Sequence, residues 1–258
     1  MRSPGASESH PSFCHHTYVD SGRIFLTAEW RDLVLLNYEV DPSLLRSHVP
    51  AGTELDFWSG KAFVSLVGFR FVNTKVFGVR IPFHSNFAEV NLRFYVRRHE
   101  QGEVRRGVVF IREIVPRRAI ALVARAFYNE NYIALPMAHN ISRSEDGSIS
   151  ASYRWRSGGR WSDLRFASQG NPEPSKDGSE EQFIAEHYWG YAAQRDGGCV
   201  EYRVTHPSWN VWQARHAEFI GDAEPLYGPA FAAALSERPS SAFLADGSPV
   251  TVMRGRKL

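Results

Sequence analysis

Residues 87–98 read FAEVNLRFYVRR, and no other stretch narrows the choice of fold as far. Alternate side chains of a β-strand face opposite ways. Ala88, Val90, Leu92, Phe94 and Val96 therefore share one wholly apolar face, while Phe87, Glu89, Asn91, Arg93, Tyr95 and Arg97 share the other. The polar face admits two readings. In a half-buried antiparallel sheet it meets water. In a β-cone or barrel it lines the lumen, where Glu89 beside Asn91 and Arg93 would form a dehydrated, charged ligand site.

The next run, GVVFIREIV (107–115), follows a Gln101-Gly102 turn and is apolar on both faces. Val108, Phe110 and Ile114 share a face with Arg112; Val109, Ile111 and Val115 share one with Glu113. A strand of this kind is buried on both sides. Its two charges cannot meet each other across the strand, and an unpaired buried charge is costly. Each is expected to find a salt-bridge partner elsewhere.

The same grammar of short apolar runs and turn signals continues along the chain, which favours an α+β fold dominated by antiparallel strands. Further strands are expected at 62–72, on both sides of the Asp146-Gly147 turn, and at 200–206, 211–219 and 250–254. Asp41-Pro42 predicts a capped helix through about residue 49. Helices are also expected at 117–128, with Ile120, Val123, Ala124 and Phe127 on one face, and at 182–188 and 226–235. NPEPSKDGSEE (171–181) is a loop by composition. Residues 1–20, rich in Ser, Pro, Gly and His, are expected to form a loose tail before a single domain over 21–258.

Composition removes several function classes. A net charge of +2 gives no field for nucleic acid or an anionic membrane. Two cysteines, Cys14 and Cys199, without a CxxC, argue against a disulfide scaffold and a cysteine-based zinc site. The N-terminal segment lacks a signal-peptide apolar region and no apolar run reaches spanning length, so a soluble cytoplasmic protein is expected. The ten histidines show no HxH or HExxH spacing, with His84 and Glu89 the best metal pair among weak ones. No metal and no cofactor is expected: the chain has no GxSxG, phosphate-cradling glycine loop or dinucleotide fingerprint. The aromatic clusters EHYWGY (186–191) and HPSWNVW (206–212) read as core or as one mouth of a cavity, and a buried His187 would need a hydrogen-bond partner.

Several motifs are familiar as a set. FLTAEWRDLVLLNYEVDP (25–42), VPAGTELDFWSGKAFVSLVGF (49–69), EVNLRFYVRR (89–98), RGVVFIREIVPR (106–117), EHYWGY (186–191) and FLADGS (243–248) closely resemble the YqjF-like family of uncharacterised conserved proteins (domain of unknown function 2071). More distantly, the chain resembles the acetoacetate decarboxylase-like superfamily, which implies a large antiparallel β-cone or barrel with an interior pocket. Arg31-Asp32 resembles the Arg-Glu pair of the decarboxylase, and Phe87-Ala88-Glu89 its Tyr-x-Glu motif. Arg112-Glu113-Ile114-Val115-Pro116-Arg117-Arg118 resembles its Arg-Glu, spacer, Pro-Lys-Lys motif with both lysines replaced.

That replacement bears on chemistry. Of the 30 basic residues only four are lysines, Lys61, Lys75, Lys176 and Lys257. An arginine stays protonated and cannot form an imine. The expected site therefore grips a small anionic metabolite, an oxo-acid or other carboxylate, through Arg31, Asn91, Arg93 and Arg117, unless Arg117 is a solvated residue of a first helical turn, with Glu89 as general base and no Schiff-base decarboxylation. The rival reading is a non-catalytic ligand-binding or oligomeric structural protein that kept the fold and lost the chemistry.

Overall fold

In the computed structural model, residues 23–120, 122 and 130–258 are described. Expected strands appear at greater length. β1 (Ile24–Val40), β3 (Ala62–Val76), β4 (Phe87–Glu100) and β5 (Glu103–Val115) are long antiparallel neighbours, with the two-residue β2 (Glu54–Leu55) beside β4. The β4–β5 turn forms at Gln101 and Gly102, both at positive φ (48° and 84°). Two left-handed residues in succession suit the right-handed twist of a hairpin.

After β6 (Tyr132–Ala134), which lies parallel to β5, the chain makes β7 (Met137–Arg143), β8 (Ile149–Ser157) and β9 (Arg160–Ser168) as a meander. The short β10 (Glu173–Pro174) precedes β11 (Trp189–Ala193), β12 (Cys199–Thr205), β13 (Asn210–Ile220), β14 (Ser241–Met253) and β15 (Arg256–Lys257). β11 was expected only as an aromatic cluster; five residues with Gly190 second give little periodicity to read.

The pairings close on themselves. β1 pairs β3, then β4 and β5 follow; β5 runs beside β11, β11 pairs β12, and β12 pairs β14 through Val204–Val252 and Thr205–Thr251. β14 returns to β1, completing a ring of seven strands. β13 leaves this ring from β14 and carries β9, β8 and β7 as an outer layer.

The two faces of β4 now separate. Val90, Leu92 and Phe94 point outward into one core with Tyr153, Trp155 and Leu164 of the outer layer. The layers meet closely at Gly68, where an added Cβ would lie 2.7 Å from the Tyr153 ring. Inward, Leu33, Leu35, Val67, Phe69, Tyr95 and Phe243 form a second core. The face bearing Glu89, Asn91 and Arg93 looks into the ring.

The helices differ from expectation in detail. The 41–49 segment makes two 3₁₀ turns, Pro42–Leu44 and Arg46–His48, with Ser43 N donating to Asp41 Oδ1 at 2.7 Å. Its backbone bonds run to the third residue back, as from Leu45 N to Pro42 O. The helix expected at 182–188 spans Glu180–Ala185, and that at 226–235 divides into Glu224–Tyr227 and Pro229–Ser236 at Gly228 (φ 80°) and Pro229. Of 117–128, residues 118–120 and 122 are helical; Val123, Ala124 and Phe127 lie outside the described residues, as does the 1–20 segment. Among the described residues no helix is long and apolar enough to cross a membrane.

Candidate functional site

Inside the ring lies a cavity of about 180 Å³. β4 supplies Glu89, Asn91 and Arg93 to its wall, at alternate positions as strand geometry requires. β5 adds Glu113, the residues just before and at the start of β6 add Glu130 and Tyr132, and the segment before β11 adds His187. The rest is mostly apolar and aromatic, including Trp30, Phe69, Phe71, Phe87, Phe110 and Trp209.

Three glutamates crowd this interior. Glu89 and Glu113 are each 2% exposed and Glu130 7%. Asn91 Nδ2 donates to Glu89 Oε1 at 3.0 Å, Tyr132 OH donates to Glu89 Oε2 at 3.1 Å, and Tyr202 OH donates to Glu130 Oε1 at 2.8 Å. Burial pushes Glu89 up to about 7 against these hydrogen bonds, and Glu130 likewise up to about 7. Glu113 goes well above the ordinary carboxylate range, through burial first and the charges of Glu130 and Glu89 next. Tyr132 also rises, chiefly by burial. The group holds protons at neutral pH that exposed glutamates would release.

This corrects the expectation for Glu113. Among the described residues it enters no ion pair, and neither does Arg112. A carboxyl can escape the cost of a buried charge by staying protonated, and Glu113 does so beside two others.

Arg93 behaves differently from the other interior charges. One Nη donates to Ile184 O at 3.2 Å and the guanidinium lies 5.7 Å from the Tyr95 ring centre. Among the described residues its Nε has no hydrogen-bond partner and no ion pair includes it. His187 Nε2 sits 3.3 Å from Asp56 Oδ2, both side chains sealed from water. Burial lowers the His187 pKa, so the ring is neutral and donates from Nε2. Here is the partner that a buried His187 required.

Arg31 and Arg117 stand elsewhere. β1 carries a bulge between Arg31 and Val34, with Asp32 at φ 55°. The extra residue puts Arg31 and Asp32 both on the outer side while Trp30 and Leu33 face in. Arg31 Nε donates to Glu29 Oε2 at 3.0 Å. Asp32 is held by Arg70 and by Arg143 of the outer layer, and its carbonyl accepts from Tyr153 OH at 2.8 Å. Arg117 is exposed, just before the helix that begins at residue 118, and does not line the cavity. His84 lines the cavity with Glu89, and among the described residues no three His, Cys, Asp or Glu side chains gather as metal ligands.

This fold is shared with acetoacetate decarboxylase-like proteins. The chain superposes on an acetoacetate decarboxylase of Legionella pneumophila with a TM-score of 0.63 and 14% identity, covering 91% of this chain and 87% of that one. It superposes comparably on MppR, an enduracididine biosynthesis enzyme, in complex with pyruvate (TM-score 0.62, 12% identity, 94% and 93% covered). An acetoacetate decarboxylase-like enzyme of Sphingomonas wittichii gives 0.57 at 13% identity, with 91% and 93% covered. Likeness at this identity establishes the fold. Within it, the chain belongs to the DUF2071 family of uncharacterised conserved proteins, whose pattern matches residues 27–249. It is also 32% identical over 120 residues to the uncharacterised protein YqjF of Bacillus subtilis, a match spanning 46% of this chain and about half (48%) of that relative.

Proposed function

We propose that the cavity binds a small oxo-acid, its carboxylate on Arg93, and that Glu89 moves a proton at the carbon beside the carbonyl. The observation that carries this reading is Arg93 itself, a cation in a mostly apolar wall with no acidic partner among the described ion pairs and an orphaned Nε. Buried polar groups are nearly always satisfied. Among the described residues, six of the twelve buried side-chain polar atoms left without a partner belong to residues of this one wall: Trp30, Thr74, Asn91, Arg93, Glu113 and His187. A ligand rich in oxygen atoms answers the donors among them.

The chemistry follows from the acids. With a pKa near 7, Glu89 is matched to neutral pH as a proton-transfer group. Its ionised form takes a proton from carbon, and the C–H electron pair becomes the C=C bond of an enolate. A protonated Glu113 donates to the developing oxyanion, a contribution that low polarity strengthens. Return of a solvent proton completes an exchange. The reading contains no imine step, because Lys61, Lys75, Lys176 and Lys257 are all exposed and none lines the cavity.

Proton NMR in deuterated buffer tests this directly. Oxo-acid protons beside the carbonyl should exchange faster with the protein than without it, and Glu89→Gln should abolish the acceleration while leaving ligand affinity nearly intact. No acceleration and no binding across a panel of oxo-acids would refute the reading.

A further inference from the structure

Charge decides where a carboxylate sits, but the remainder of the wall decides what else the ligand carries. Trp30 is the centre of that remainder. Its ring packs edge-on against Phe69 (centroids 5.5 Å, 71°), Phe71 (6.0 Å, 85°) and Trp209 (6.4 Å, 61°). Phe71 in turn stacks on Phe87 at 4.7 Å and 17°. All of these rings line the cavity that Arg93 enters. Trp30 Nε1 is buried with no acceptor among the described residues, the same deficit as Arg93 Nε.

Size points the same way. An apolar cavity of about 150 Å³ accepts benzene, and this one is about 180 Å³. A three-carbon acid would fill Arg93's end and leave the aromatic part empty, with loss of contacts on every side. A ring joined to a short acid chain fills both.

We propose that the ligand is an aryl-substituted oxo-acid, its ring against the Trp30 cluster, its carboxylate on Arg93, and one further oxygen accepting from Trp30 Nε1. The inference rests on the carboxylate reading above and adds the substrate class. Phe87, stacked on Phe71 and outside the acid–base group, then acts as a specificity residue.

Isothermal titration of the full chain with pyruvate, phenylpyruvate and phenylacetate separates the two claims. Burying the phenyl ring should make phenylpyruvate bind on the order of 100-fold tighter than pyruvate. Phenylacetate, without the oxo group, should compete more weakly than phenylpyruvate. Arg93→Gln should weaken both oxo-acids, and Phe87→Leu should shrink the gap between them. Equal affinity, or tighter binding of pyruvate, overturns the aryl class and leaves the carboxylate reading standing. Phenylpyruvate binding that ignores Arg93→Gln overturns the placement of its carboxylate on that arginine. Binding of neither oxo-acid overturns both proposals.

Discussion

Substituting Glu89 by Gln should make the protein more stable relative to the parent at high pH than at low pH. Burial raises the Glu89 pKa from 4.5 to about 7, so the folded protein holds a proton that the unfolded chain has released. A group raised in this way contributes its stability fully below about pH 4.5, and that contribution is lost as pH rises through about 7. The penalty on the ionised form corresponds to about 3 kcal/mol. Gln keeps an oxygen acceptor for Tyr132 and cannot ionise. The advantage of Glu89→Gln over the parent should therefore grow by about 3 kcal/mol between pH 5 and 8.5. With a urea slope of about 2–3 kcal/mol/M for a chain of this size, that is a relative midpoint shift of about 1 M. Histidines whose protonation depends on folding are common to both proteins and cancel in the difference. Parallel pH profiles for the two proteins would refute the claim that Glu89 is buried and protonated in the folded state.

Other perturbations probe other parts of the account. Arg93→Gln should lower affinity for a bound oxo-acid by about 1.5–3 kcal/mol, measured by titration calorimetry, while Arg31→Ala should leave it unchanged because Arg31 pairs with Glu29 outside the ring; the opposite ranking would put the cation on the wrong strand. Asp32→Ala removes the acceptor shared by Arg70 and Arg143 and leaves alanine at a positive φ, so a loss of about 2–4 kcal/mol in urea unfolding is expected. In Gly190→Ala the new methyl would lie 2.1 Å from the Tyr202 ring; unfolding should detect a loss of about 1–3 kcal/mol, and an unchanged midpoint would mean that Tyr202 does not pack over β11.

What could be read in the sequence divides along physical lines. The inward face of β4 was visible because strand alternation is local: each residue's face follows from its neighbour's. Whether that face met water or a lumen was not local, since it depends on β12 reaching β14 at Thr205 and Thr251. Arg31 was assigned inward by resemblance, and a single extra residue at Asp32 turned it outward; bulges leave almost no trace in composition. Glu113 was recognised as a buried charge, but its escape by protonation, driven first by burial and next by the charges of Glu130 and Glu89, was not. Glu130 was missed altogether. It lies in FYNENY, with no periodic pattern, and only its position just before the β6 strand YIA could have hinted at it. Asp56 and His187 are 131 residues apart, so their contact was out of reach even though the need for one was clear.

The central claim is that Glu89, Glu113 and Glu130 share a dehydrated wall and keep protons at neutral pH. A carbon-13 NMR titration of side-chain-labelled glutamate, assigned with the three Gln substitutions, measures it directly. The account predicts Glu89 and Glu130 titrating near 7 and Glu113 higher still. Three resonances titrating together near 4.5 would contradict it.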